Sequence, residues 1–189
     1  MRRLTLALVV LLVALPVTAA LVDNGTSMID TGTNLEWLDL PETQGLSVNQ
    51  VLASNFVTVD GYVHATDEQV LSLFINAGFA TGPSVQDASN DAAAALLLSF
   101  LGCTQFCGVA DLNGTGRGFA DWNGLGTYTR AFYKEGPLGG SYATTSGLTA
   151  DLDLTDATAG HFLVRLVPEP GTGLLLGLGL VALGMRRRP

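Results

Sequence analysis

Residues 66–78 read TDEQVLSLFINAG, and the stretch carries its own start and stop. Thr66 is followed three residues later by Gln69, the spacing of a capping box: the hydroxyl accepts from a free amide of the first turn and the Gln side chain reaches back. Val70, Leu71, Phe74 and Ile75 recur at helical spacing and mark one apolar face. Gly78 is placed to end the helix, because a left-handed cap carries no Cβ penalty there. The expectation is a helix over Asp67 to Ala77.

Upstream, Ser47 and Gln50 repeat the same cap and predict a short helix over Val48 to Ser54. Between the two helices, FVTVDGYVHA (56–65) has the composition of strand, turn, strand. Before them, LVDNGTSMIDTGTNLEWLDL (21–40) sets short apolar runs between the turn signals Asn24-Gly25 and Thr31-Gly32, which predicts two or three short strands. Downstream, DAAAALLLSFL (91–101) is apolar nearly all round and predicts a third, centrally buried helix, too short at about ten residues to span a bilayer. Beyond Gly108, TYTRAFYK (127–134) and HFLVRLV (161–167) have strand composition, and the glycine- and threonine-rich stretch between them reads as loop. The fold class is α+β: one domain over about 21–166, with three helices, and strands at both ends that can pair with each other. Val70, Leu71, Phe74, Leu97, Leu98 and Phe100 are the expected core.

The ends have a different character. Arg2 and Arg3 precede an apolar run from Leu4 to Leu15, Pro16 breaks it, and VTAA offers small residues for cleavage after Ala19 or Ala20. Met1 to Ala20 therefore reads as a secretory signal peptide, used by the Sec translocon and removed by signal peptidase. At the other end, Gly171 to Met185 are fifteen apolar or small residues followed by Arg186, Arg187 and Arg188. They make roughly 22 Å of helix against a hydrocarbon core of about 30 Å, so arginine stems must snorkel if the segment spans. The arginines would act as a membrane stop on the cytoplasmic side. Gly173 and Gly177 have the spacing of a helix-packing motif.

Removing both ends leaves Arg117, Arg130, Lys134 and Arg165 against sixteen carboxylates, a net charge of −12. Such a surface opposes nucleic acid and anionic lipid, whose phosphates need Lys and Arg. The two cysteines, Cys103 and Cys107, lie in CTQFC. Export places them in an oxidising compartment where residues four apart in a turn or helix can bridge, although two free thiols, or a metal site with further ligands, remain open.

Val167, Pro168, Glu169 and Pro170, the Gly/Leu-rich helix and the terminal arginines together resemble the PEP-CTERM sorting signal of Gram-negative bacteria. The resemblance implies an exosortase, a membrane-embedded cysteine transpeptidase, as partner, and transient anchoring at the inner membrane before delivery to the cell surface or the extracellular polysaccharide matrix. The two prolines keep the motif extended, as a protease substrate must be. A second resemblance covers TGTNLEWLDLPETQGLSVNQVLA (31–53), GYVHATDEQVLSLF (61–74) and GHFLVRLV (160–167), which are similar in order to bacterial surface domains with a C-type-lectin-like fold. Tyr62, Val63, His64 and Ala65 depart from the Trp-Arg-Leu-Pro of those domains.

Motifs for chemistry are sparse. DLNGTGRGFADW (111–122) sets Asp111, Asn113 and Thr115 at alternate positions, as in a calcium loop, but position twelve is Trp122, and a surface turn explains the residues as well. No GK[ST] follows the glycines and no Gly-x-Ser-x-Gly elbow exists, so no cofactor is implied. His64 and His161 have no zinc spacing, and are expected at a turn and a strand start. Trp37, Trp122, Tyr128, Phe132, Tyr133 and Tyr142 are candidates for a sugar platform, with half or more of them expected in the core. Two functional classes follow: a surface or matrix protein without catalysis, or a polysaccharide hydrolase using two carboxylates or a glycan-binding module.

Overall fold

Two short turns shape the first strands. In this computed structural model, which describes residues 20–79, 85–108, 114–122, 124–134, 136, 140–149 and 151–167, β1 (Leu21–Asp23), β2 (Ser27–Asp30) and β3 (Leu35–Leu38) form an antiparallel meander. The Asp23 carboxylate accepts from the Gly25 amide at 2.8 Å and the Asp30 carboxylate from Gly32 at 2.9 Å, so each turn is closed by its own acidic residue. Residues 1–19, which fall in the expected signal peptide, the tail from Pro168, and Asp111 and Asn113 lie outside the described residues.

Both capping boxes are present. α1 (Val48–Leu52) is capped by Ser47 and Gln50, and α3 (Asp67–Ala77) by Thr66 and Gln69. Gly78 ends α3 at φ 109°. Between them the chain departs from the expected strand: Asn55–Thr58 is a single helical turn, α2, and only Val63–His64 is extended, as β4. Ser54 begins that turn by accepting from the Thr58 amide at 3.0 Å, a local bond that overrides the β-branched composition.

The last strand closes the first sheet. β9 (Leu163–Leu166) lies antiparallel between β3 and β4, giving the order β1-β2-β3-β9-β4. The end strands thus pair with each other, as the α+β reading expects. A second sheet has the order β7-β6-β5-β8, with β5 (Thr115–Trp122), β6 (Thr127–Lys134), β7 (Tyr142–Thr149) and β8 (Gly160–His161), the last parallel to β5. Phe162 joins the sheets: its amide donates to Phe119 at 2.9 Å and its carbonyl accepts from Ala65 at 2.8 Å, while Ala65 in turn accepts from Asp121 at 2.8 Å.

β5 and β7 correct the sequence reading, which made turn and loop of them. The glycines of β5 serve packing. A Cβ at Gly116 would overlap the Tyr133 ring on the neighbouring strand, and one at Gly118 would press on Leu40 and Phe162. The Tyr133 hydroxyl donates to the Gly102 carbonyl at 2.7 Å, with the Leu97 carbonyl at 3.2 Å, which ties this sheet to the end of α4 (Asp91–Phe100).

α3 and α4 cover the sheets with a core of Val70, Leu73, Phe74, Leu97, Tyr133 and Phe162. Of the expected core, Val70, Phe74 and Leu97 are buried, Leu98 and Phe100 are half-buried against it, and Leu71 is half-buried. Ile75 is 58% exposed; Leu73 takes its place, because the buried arc of α3 runs through 70, 73, 74 and 77. α4 buries only Ala93, Ala94 and Leu97 fully, so its apolar character reflects alanine on an outer face rather than burial all round.

Leu97→Ala is expected to lower stability by about 2–5 kcal/mol in urea denaturation of the exported protein, and Leu71→Ala by clearly less than Leu97→Ala. Equal losses would contradict the assigned faces.

Candidate functional site

The two histidines meet. β4 carries His64 and β8 carries His161, and their rings approach with Nε2 of His64 2.9 Å from Nδ1 of His161. Nε2 of His161 lies 3.0 Å from the Leu46 carbonyl. A carbonyl only accepts, so this nitrogen bears the proton, Nδ1 of His161 accepts, and Nε2 of His64 donates. Nδ1 of His64 is left as a buried acceptor without a hydrogen-bond partner. Tyr128 packs edge-on against His64, and Phe119 lies tilted against His161. Burial, helped by the neighbouring ring, holds His64 down to about 3, and burial brings His161 to about 4 against the pull of the Leu46 carbonyl. Both rings are neutral near pH 7 and bond to each other and to backbone, which makes them a joint between the sheets.

On the first sheet, Glu36 faces Arg165 across β3 and β9. The guanidinium holds the carboxylate by two bonds, Nε to Oε2 at 2.8 Å and Nη2 to Oε1 at 3.0 Å. Ser27 donates to Oε1 at 2.8 Å and Tyr62 at 3.2 Å, and the guanidinium stacks 4.6 Å from the Tyr62 ring. The hydrogen bond from Arg165 pulls the Glu36 pKa down, with burial opposing. The pair borders an open groove of about 670 Å³ with Asp60, Gly61, Val63 and Leu166. A carboxylate so fully donated to is a poor base or nucleophile.

Asp39 behaves differently. Burial, then the charges of Asp23 and Glu42, push its carboxyl up to about 6, and its Oδ1 is buried without a hydrogen-bond partner. Such a carboxyl is the type that can donate a proton near neutral pH. No short motif announces it; it is simply the residue after β3.

Cys103 and Cys107 are joined in a disulfide, with Cα atoms 5.7 Å apart. The loop is stitched to β5, where Thr104 donates to the Thr115 carbonyl and Thr115 to that of Gln105, each at 2.9 Å. Thr115, from the calcium pattern, is thus a buried strand residue, and among the described residues no three His, Cys, Asp or Glu side chains are placed to hold a metal. Of the aromatic set, Trp37, Tyr128 and Tyr133 are buried, and Trp122, Phe132 and Tyr142 are half-buried. Sequence reasoning missed the ion cluster in which Asp156 meets Arg130 at 3.0 Å and Arg117 at 3.8 Å.

β9 ends at Leu166, and the Val167 amide still donates to the Asn34 carbonyl at 3.0 Å. The sorting residues Pro168, Glu169, Pro170 and Arg186 to Arg188 follow, outside the described residues. Among the described residues no helix is long and apolar enough to cross a membrane. Residues 166–188 match the PEP-CTERM protein-sorting motif. That motif implies an exported protein sorted by exosortase. No curated protein and no solved structure matches the chain, so the lectin-like resemblance of the middle stretch gains no support from them.

The histidine pair sets a pH dependence. Each folded-state pKa lies below the ordinary 6.5, so between about 6.5 and 4 the unfolded chain binds protons that the folded one refuses. Stability therefore falls with falling pH, by up to about 1.4 kcal/mol per unit for each ring. Asp39 opposes this, since its raised pKa gives stability as pH falls through about 6, but it is one group against two. The urea midpoint is expected to drop from pH 7 to pH 5, with a shallower slope in His64→Gln. An unchanged midpoint would show that the rings titrate freely.

Proposed function

We propose that this is a surface or matrix protein that works without catalysis: exported through Sec, freed of its signal peptide, held transiently in the inner membrane by its tail, and released to the cell surface or extracellular matrix by exosortase. The observation that carries the reading is the sorting motif at 166–188, which begins on the last residue of β9, so the address is fused directly to the fold. The interior supports the absence of catalysis. Both histidines are committed to the joint between the sheets, and Glu36 is saturated by Arg165, Ser27 and Tyr62. The intact mass of the exported protein tests the route. The expected mass lacks Met1–Ala20 and the terminal residues including Arg186 to Arg188; retention of those arginines would overturn the processing.

Asp39 favours a second reading, a polysaccharide hydrolase in which a raised carboxyl serves as general acid beside a second carboxylate. Under the first reading, long incubation with extracellular polysaccharide releases no reducing ends. Release that vanishes in Asp39→Asn would establish the second.

A further inference from the structure

The charge of the domain is unevenly placed. Three of the four cations in residues 21–166, Arg117, Arg130 and Lys134, lie on β5 and β6. The register pairs Arg117 with Phe132, Phe119 with Arg130 and Thr115 with Lys134, so in a pleated pair all three cations project from the face opposite Gly116, Ala131 and Tyr133, which pack toward the helices. Near the histidines this face is covered. At the other end it opens into a groove of about 280 Å³ lined by Gln105, Phe106, Arg117, Phe132, Lys134 and Tyr142.

The groove combines two chemistries. Asp156 pairs with Arg130 and, more distantly, with Arg117, while Lys134 has no ion pair among the described residues. On a domain of net charge −12, this is where an anion meets attraction. Aromatic rings flank the cations: Phe132 and Tyr142 stand edge to face at 5.5 Å, and Phe106 forms another wall. Phe106 is 44% exposed and sits at φ 58°, a left-handed conformation costly for a bulky residue. The Cys103–Cys107 bridge and the Gln105–Thr115 pairing hold its loop against β5. Backbone cost and an exposed large apolar side chain together mark a contact surface.

We propose that this groove binds an acidic polysaccharide, with a uronate carboxylate on Lys134 and Arg117 and the apolar faces of the sugar rings on Phe106, Phe132 and Tyr142. Aromatic faces alone would suit neutral sugars, and cations alone would suit any anion; their alternation along one groove selects a chain that carries both a carboxylate and C–H faces. The proposal rests on the reading of the chain as a surface protein and gives it a ligand.

The test is affinity electrophoresis of the exported protein in gels containing polygalacturonate, neutral dextran or no polymer, with flotation on phosphatidylglycerol vesicles alongside. Retardation by polygalacturonate alone is expected, weakening as salt rises from 50 to 300 mM. Lys134→Glu should weaken it about tenfold or more, the loss of one charge-assisted bond plus repulsion, and Phe106→Ala, on an exposed side chain, should weaken it severalfold. Absence of retardation, or retardation equal in both variants, overturns the site. Flotation on vesicles without retardation by polygalacturonate overturns it in favour of a lipid surface. The mass and reducing-end measurements are independent of these, so the ligand assignment and the functional reading can fail separately.

Discussion

Residues 160–166 serve two sheets at once, and the rest of the structure depends on that. Gly160 and His161 extend the second sheet, Leu163 to Leu166 run through the first, and Phe162 between them bonds to Phe119 and Ala65. A chain that crosses between sheets in one residue leaves no room for a side chain at the crossing's start; Gly160 lies against the Leu40 backbone where a Cβ would overlap it. It also buries polar groups that need partners. The Thr43 hydroxyl accepts from the His161 amide at 2.8 Å, and the Leu46 carbonyl meets the His161 ring. The neutral histidine pair is thus a consequence of the crossing: β4 and β8 bring the rings together where water is excluded, and each ring bonds only as an uncharged group.

Features closed by residues two to four apart were legible in advance. Both capping boxes, the αL stop at Gly78 and the Asx-closed turns at Asp23 and Asp30 need no partner elsewhere, and the three helices fall where local chemistry places them. β5 and β7 were not legible. Gly116 and Gly118 of β5 read as turn residues until Tyr133, Leu40 and Phe162 are known to fill the space above them. FVTV failed for the opposite reason, since strand composition yields to a local helical turn when no strand lies beside it. Ile75 was misplaced because five apolar residues in a row of six fit two overlapping arcs of a helix, and packing selects one.

The sites divide the same way. The sorting motif is linear and was read from its residues. The pairing of His64 with His161 spans 97 positions, and the meeting of Glu36 with Arg165 spans 129, so neither leaves a local trace. The cation face was half visible: TYTRAFYK alternates, which puts Arg130, Phe132 and Lys134 on one side of a strand. What the alternation lacked was the register that sets Arg117 beside Phe132 and the bridge that presents Phe106.

β9 is both the last strand among the described residues and an interior strand of its sheet. A chain made from its N-terminus therefore has one edge of β3, and the whole of β4, unpaired until β9 arrives. Completion of the fold and arrival of the sorting motif are nearly the same event in time. Until then the growing domain passes a long interval in which two strand edges are unprotected. Net negative charge over most of the chain is a natural safeguard during that interval, because like-charged unfinished copies repel one another.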